Sequence, residues 1–421
     1  MARRKSALRI VYPEEQRYEC RDCPARCCKT WGIPVAQEVA HVILSDEELR
    51  GRLVGRAPGV LASGTLPMIE RDRQLQCVLL DDDHLCALHK RLGHEALPSA
   101  CQAYPFGFLE DEGGRTLTLL SRHCPSIRDN YGHPVGPLVR DKLSQAGGAL
   151  PLAARMGLRS GRTLPVRAYL AVAEVWKELL REEGPVPGIL KAYEFTDAFD
   201  ECLLREVARG TDPEPRQLQK LLDEARARLG TPRVRHRRRP IWQARIFYAH
   251  FLGGLSYPTR VLTEYAVARP TVGQRIGAWG NKLAWMLHVG TVDLLHVPGR
   301  VAPGKIDRVP TFLAGEQREL VVDYLCEVID RRQPFTKMTY LTRALVNLGL
   351  SVALVSRFAR ASALGHGHAE VTQGDVAEAV GVADLLMTHR REGERNLVLD
   401  NLQLVLMSDP RLLPRFLASE A

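Results

Sequence analysis

Four thiols packed into nine residues constrain this chain more than any other feature. The stretch 18–31, YECRDCPARCCKTW, carries Cys20, Cys23, Cys27 and Cys28, and Cys77, Cys86, Cys101 and Cys124 follow. Eight of the ten cysteines therefore fall in the first 124 of 421 residues. Thiolates repel one another, and only a shared cation repays gathering so many. The eight are the candidate metal ligands. Between Cys20 and Cys28 the chain holds too much Cys, Pro and charge for a regular element, so this segment is expected to be irregular and organised by its metal.

The alternative use of paired cysteines is disulfides, which need an oxidising compartment. The N-terminus, MARRKSALRIVYPEE, starts basic but lacks the apolar core and small-residue cleavage site of a signal peptide. The expected address is the cytoplasm, where thiols stay reduced. The spacing C-x2-C-x3-CC then sets the metal problem. Two vicinal thiols do not both face one ion without strain, so Cys28 is expected to serve a second metal or a neighbouring position of a cluster. Eight thiols divide into two four-thiolate zinc sites, or into one cluster with supporting thiols; the vicinal pair favours an iron–sulfur cluster. The order differs from the C-x3-C-x2-C of radical enzymes that cleave S-adenosylmethionine.

Around these cysteines the local pattern is α+β. Residues 8–12 read as a strand, 37–44 as a short helix, and Ser45-x-x-Glu48 as a capping box for a second one. Cys77-Val-Leu-Leu, three aspartates, His84 and Leu85-Cys86 read as a hairpin whose polar turn returns Cys86 to Cys77. Helical turns follow at 85–92, ended by Gly93, and at 96–101, and residues 116–120 form a strand leading to Cys124. Asp81, Asp82 and Asp83 lack the spacing of a calcium loop and read as a solvated turn. His84, His89 and His123 stand beside ligand cysteines, as outer partners or surface residues.

In order along the chain stand CxxCxxxCC, W-x-I-x-V, C-x-L-L, C-x2-H-x2-LG-x3-LP-x2-C-x2-YP and a closing CP. This order resembles the YkgJ-type cysteine-cluster family, described as zinc- or iron-chelating. The CC-x2-W step at Cys27, Cys28 and Trp31, the Leu92-Gly93 pair, and Cys101 with Tyr104-Pro105 are most similar to the branch containing flagellin lysine-N-methylase. The resemblance spans about residues 18–128. It implies metal binding by the eight cysteines and, through the branch, transfer of a methyl group from S-adenosylmethionine to lysines of a protein such as flagellin.

A Gly/Pro-rich stretch at 129–139 marks a domain boundary. The expected architecture is mainly α: a small irregular α+β cysteine-rich metal domain over 1–130, then an all-α domain over 136–421. Apolar residues at helical spacing predict helices from Pro165, over 218–229, and at 240–255, 258–290, 316–332, 338–361, 373–389 and 396–407. Cys202 and Cys326 read as buried structural thiols. Tyr169, Trp176, Tyr248, Trp279 and Trp285 read as core. The most apolar run, 344–356, reads as a buried helix, and no membrane span is expected.

Charge and the remaining motifs mostly exclude. The net charge is +9, but 48 of the 58 basic residues are Arg and are spread evenly, apart from RVRHRRR at 233–239. No stacking aromatics interleave with that run, so it reads as a solvated linker and nucleic acid is an unexpected partner. GxGxxG, Walker, G-x-S-x-G and HExxH motifs are absent. His366-Gly367-His368 looks chelating, yet falls in an expected interhelical loop. Two function classes stay open. One is a protein-lysine methyltransferase. The other is a non-catalytic or electron-transferring metal protein whose helical domain binds a partner.

Overall fold

The computed structural model describes residues 9–20, 25, 27–29, 33–52, 68–69, 77–111, 113–230, 240–255, 272–294, 296–310, 315–332, 335, 340–387, 397–409 and 411–418. Cys23, Trp31 and the basic run 233–239 lie outside these residues. The protein is mainly helical, with a small α/β portion near the N-terminus, as the sequence predicts. Its chain divides into two compact units. One comprises 1–110, 114–150 and 249–303, and the other 111–113, 151–248 and 304–421. The first unit thus continues past the boundary read at 129–139 and takes back a later segment.

In the first unit Arg115–Leu120 pairs on one side with Phe106–Glu110, antiparallel, and on the other with Arg9–Val11, parallel. Phe106 and Phe108 face one way along their strand and bury against Leu120, Ile127, Val135 and Val139. A second apolar cluster joins Ile43, Leu49 and Leu88, from the helices Gln37–Ser45, Glu47–Arg52 and Ala87–Leu92, to Val35, Leu79 and Leu97 outside them. The capping residue between the first two helices is not Ser45. Asp46 Oδ1 accepts the Leu49 N–H at 3.0 Å, while the Ser45 hydroxyl donates back to Val42 O at 3.0 Å. Both residue types cap well, and the helix that actually ends at Ser45 leaves Asp46 in the position that reaches N3.

The second unit is built around Leu341–His366, in which every residue from Leu341 to Ala363 except Arg343 is buried. This helix is long and apolar enough to cross a membrane, but its apolar window is wholly buried inside the protein. It packs against Pro185–Glu206, Gln373–Met387, Leu397–Ser408 and Leu412–Leu417. Two of its polar side chains share one partner: Gln403 donates to Asn347 Oδ1 at 3.1 Å and accepts from Arg343 Nε at 2.8 Å. Val166–Glu183 shows the apolar stripe read from sequence, with Trp176 buried and its Nε1 donating to Thr196 Oγ1 at 3.0 Å.

Two expectations change. The 22-residue helix Pro185–Glu206 was not read from the sequence, because Gly184, Pro185, Pro187 and Gly188 look like a break. Proline fits a first helical turn, where its missing N–H has no intrahelical partner. Trp279 is not core: it is 69% exposed, whereas Tyr169, Trp176, Tyr248 and Trp285 are fully buried.

Candidate metal centre

Backbone hydrogen bonds, rather than regular elements, carry the cysteines to one another. The Cys77 N–H donates to Cys28 O at 2.7 Å, which ties the hairpin to the vicinal pair. Within the hairpin, the Asp81 N–H donates to Leu85 O at 2.9 Å and the Ala87 N–H to Leu79 O at 2.7 Å. This closes the turn and sets Cys86 beside Leu80, as the sequence predicts. Cys86 then caps Ala87–Leu92, and Cys101 sits in the short helix Ser99–Ala103. Cys28, Cys86 and Cys101 pack around the cluster that buries Cys77.

A second group forms on another part of the unit. Arg17–Tyr18 pairs with His133–Pro134, and Asn130 Oδ1 accepts the Arg17 N–H at 2.8 Å. The Glu19 N–H donates to Ser126 Oγ at 2.7 Å. These bonds lace the segment before Cys20 to the segment after Cys124, two thiols 104 positions apart in sequence (124 minus 20). Gly132 permits the close approach: at φ +103°, an added Cβ would lie 2.6 Å from the Tyr18 carbonyl carbon. Tyr18 stands between the thiols, with its ring edge-on to Phe106 at 5.5 Å. Burial pushes its phenol far above the usual range, and charges on Cys20, Cys124 and Cys27 push in the same direction.

Cys27 and Cys28 join the two groups, with their sulfurs 3.8 Å apart. Cys27 acts on Tyr18 with Cys20 and Cys124, whereas Cys28 acts on Cys86. Burial is the largest influence raising the Cys86 thiol, backbone N–H groups of His89 and Leu88 pull it down, and the Cys28 charge raises it again. A bound cation reverses the balance, because a coordinated thiol loses its proton outright. Among the described cysteines, Cys77 and Cys124 are buried and Cys20 is exposed. Cys202 and Cys326, in the other unit, are buried as expected.

Among the neighbours of the thiols Lys142 has no sequence signal, whereas His89 and His123 read from the sequence as outer partners or surface residues. Lys142 lies on Gly136–Gln145, donates from Nζ to Gln102 O, and has His94 Nε2 at 3.5 Å. Burial pushes its ammonium down, while the Cys20 charge holds it up. A buried cation here complements thiolate charge. His123 is 2% exposed and tilts against His296 at 5.8 Å between ring centroids, so the returning segment 249–303 reaches the residue beside Cys124. His89 lies edge-on to His94 at 5.7 Å.

Residues 19–125 match the family model named CxxCxxCC, described as a zinc- or iron-chelating domain. The matched stretch contains all eight candidate cysteines and supports the cysteine-cluster family as the source of this segment. No curated protein and no solved structure matches the chain.

Proposed function

We propose that the first unit holds two neighbouring tetrahedral ions of the zinc class. Cys20, Cys27 and Cys124, with Cys23 added from its spacing in the sequence alone, make up one four-thiolate set, and Cys28, Cys77, Cys86 and Cys101 the other. The observation that carries this reading is the division of the vicinal pair between two surroundings, Tyr18 for Cys27 and the Cys77 cluster for Cys28. A vicinal pair facing one centre argues for a multi-atom iron–sulfur cluster; a pair that divides needs none, and four thiolates satisfy zinc or a single iron. The sites are structural in this reading, since every protein position of a four-thiolate ion is filled. Anaerobic purification of the full chain followed by metal and sulfide analysis tests it. Colourless protein with two equivalents of metal is expected, and Cys28→Ser and Cys20→Ser each remove one. Brown protein carrying acid-labile sulfide overturns it in favour of the cluster.

Methyl transfer to a protein lysine is the finer reading, and its support is the motif order from Cys86 to Pro105 together with the CC-x2-W step. In that case a cytoplasmic protein such as flagellin is the partner and S-adenosylmethionine the donor. Catalysis needs the sulfonium methyl and a neutral lysine nitrogen held roughly 3–3.5 Å apart. Calorimetric titration of the metal-replete chain with S-adenosylmethionine decides the matter. Absence of binding up to millimolar donor leaves a metal protein that is not a methylase.

A further inference from the structure

The turn between Leu341–His366 and Gln373–Met387 aims two imidazoles at one buried carboxylate, in the unit that does not hold the cysteine cluster. Its backbone is fixed at both ends. Gly367 takes the left-handed conformation at φ +75°, its N–H donates to Leu364 O at 3.2 Å, and the His368 N–H reaches back to Ala363 O at 2.8 Å. That pair of bonds is the Schellman arrangement, which uses glycine at this position. Thr372 and Asp375 close the next helix start reciprocally: the Asp375 N–H donates to Thr372 Oγ1 at 3.2 Å, and the Thr372 N–H to Asp375 Oδ2 at 3.0 Å. The three side chains are therefore positioned by the backbone that bears them.

His366 Nδ1 lies 3.5 Å from Asp375 Oδ1, and His368 Nδ1 lies 3.0 Å from Asp375 Oδ2. The two rings stack at 12° with centroids 5.3 Å apart. One ligand atom from each of the three residues lies within 4.8 Å of the other two. Bonds of about 2.0–2.2 Å in a tetrahedral shell put neighbouring donors roughly 3.3–3.5 Å apart, so the widest of these separations must close by up to about 1.5 Å on loading. Asp375 is 3% exposed and accepts the Ser362 hydroxyl at 2.7 Å and the Thr372 hydroxyl at 2.7 Å, which hold it in place. The histidine side chains are 42% and 40% exposed, leaving an approach from solvent.

We propose that His366, His368 and Asp375 bind a divalent transition-metal ion, with zinc as the expected occupant. Two imidazoles and one carboxylate suit zinc, nickel or copper better than magnesium or calcium, which select oxygen. On loading, each neutral ring carries its proton on Nε2 and turns the Nδ1 lone pair to the ion, and the remaining positions go to water. The bound ion then pins the end of one helix to the start of the next. His366 Nδ1 also lies 2.9 Å from Ser362 O, a bond the ring gives up on loading, whereas the helix cap itself uses only Thr372 and Asp375.

The test uses the full chain without a histidine tag, its thiol sites filled with zinc and excess metal removed, titrated with zinc chloride by calorimetry near neutral pH. Wild type is expected to take up one further equivalent. His366→Ala and His368→Ala should each weaken that uptake by at least about tenfold, and the double variant should abolish it. His368→Gln keeps a side-chain donor for Asp375 and should melt like wild type before loading, yet bind as weakly as His368→Ala. Cys28→Ser, which tests the thiolate sites, should retain this equivalent. No further uptake by wild type overturns the proposal, as does uptake left unchanged in the histidine variants.

Discussion

Tyr18 shows how one residue can be committed to a metal set without ligating it. Burial, and after it the charges of the surrounding thiols, push its phenol above the usual tyrosine range. Tyr18→Phe keeps the edge-on contact with Phe106 and removes only the hydroxyl. It should weaken metal retention by the Cys20 set about tenfold, read by competition with a chelator, with circular dichroism unchanged. Asp81 is a second case, and a titratable one. Lys90 at 2.8 Å and Arg52 at 2.5 Å pull its carboxyl below the ordinary aspartate range, the Lys90 hydrogen bond being the largest influence. The folded value is depressed, so the ionised carboxylate stabilises the fold above its unfolded pKa, and that contribution is lost as pH falls through the folded one. Asp81→Asn should lower the melting temperature at pH 7. Its gap to wild type should narrow as pH falls below the ordinary aspartate value of about 3.9 and close below the depressed folded value; a gap that stays constant throughout removes the argument.

At the scale of elements, close helix approach decides which glycines are replaceable. A Cβ at Gly188 would lie 2.7 Å from Leu180 Cα and 2.8 Å from Leu179 O, both backbone atoms of Val166–Glu183. Backbone yields only if the two helices part. Gly188→Ala should therefore destabilise the second unit by about 1–3 kcal/mol in denaturant unfolding. Gly349, in the middle of Leu341–His366, meets the tip of Leu413 at 3.4 Å, and a leucine side chain can move. Gly349→Ala should cost clearly less, since it also gains helix propensity. Equal losses would place the limit elsewhere than in the Val166–Glu183 contact.

For the whole molecule, removal of metal is expected to unfold the first unit and to leave the core of the second in place. The first unit has two modest apolar clusters and many irregular segments, so metal-binding energy is largely its folding energy. The second has a continuous helical core around Leu341–His366. Chelation of the full chain, or Cys23→Ala, should expose residues 18–128 to protease and leave most of the helical circular dichroism intact. Undiminished protease resistance across 18–128 in metal-free protein would refute this linkage.

The sequence by itself marked the cysteine-cluster segment and most of the elements. Thiols at fixed spacing mark a metal site in any fold, and the Cys77–Cys86 hairpin is legible because its turn lies within ten residues. Helical periodicity likewise reports faces that a helix must bury, as at Val166–Glu183 and Leu341–His366. The tertiary structure alone decided what sits beside those elements. It supplied Tyr18 and Lys142 around Cys20, brought His296 to His123, returned 249–303 to the first unit, and set Asp375 under the two histidines. It also made a helix of Pro185–Glu206 that was not read from the sequence, and left Trp279 exposed. The physical reason is that a local pattern records how a segment hydrogen-bonds to itself. Which distant segments close on it depends on the packing of the whole chain, and no short window of residues carries that information.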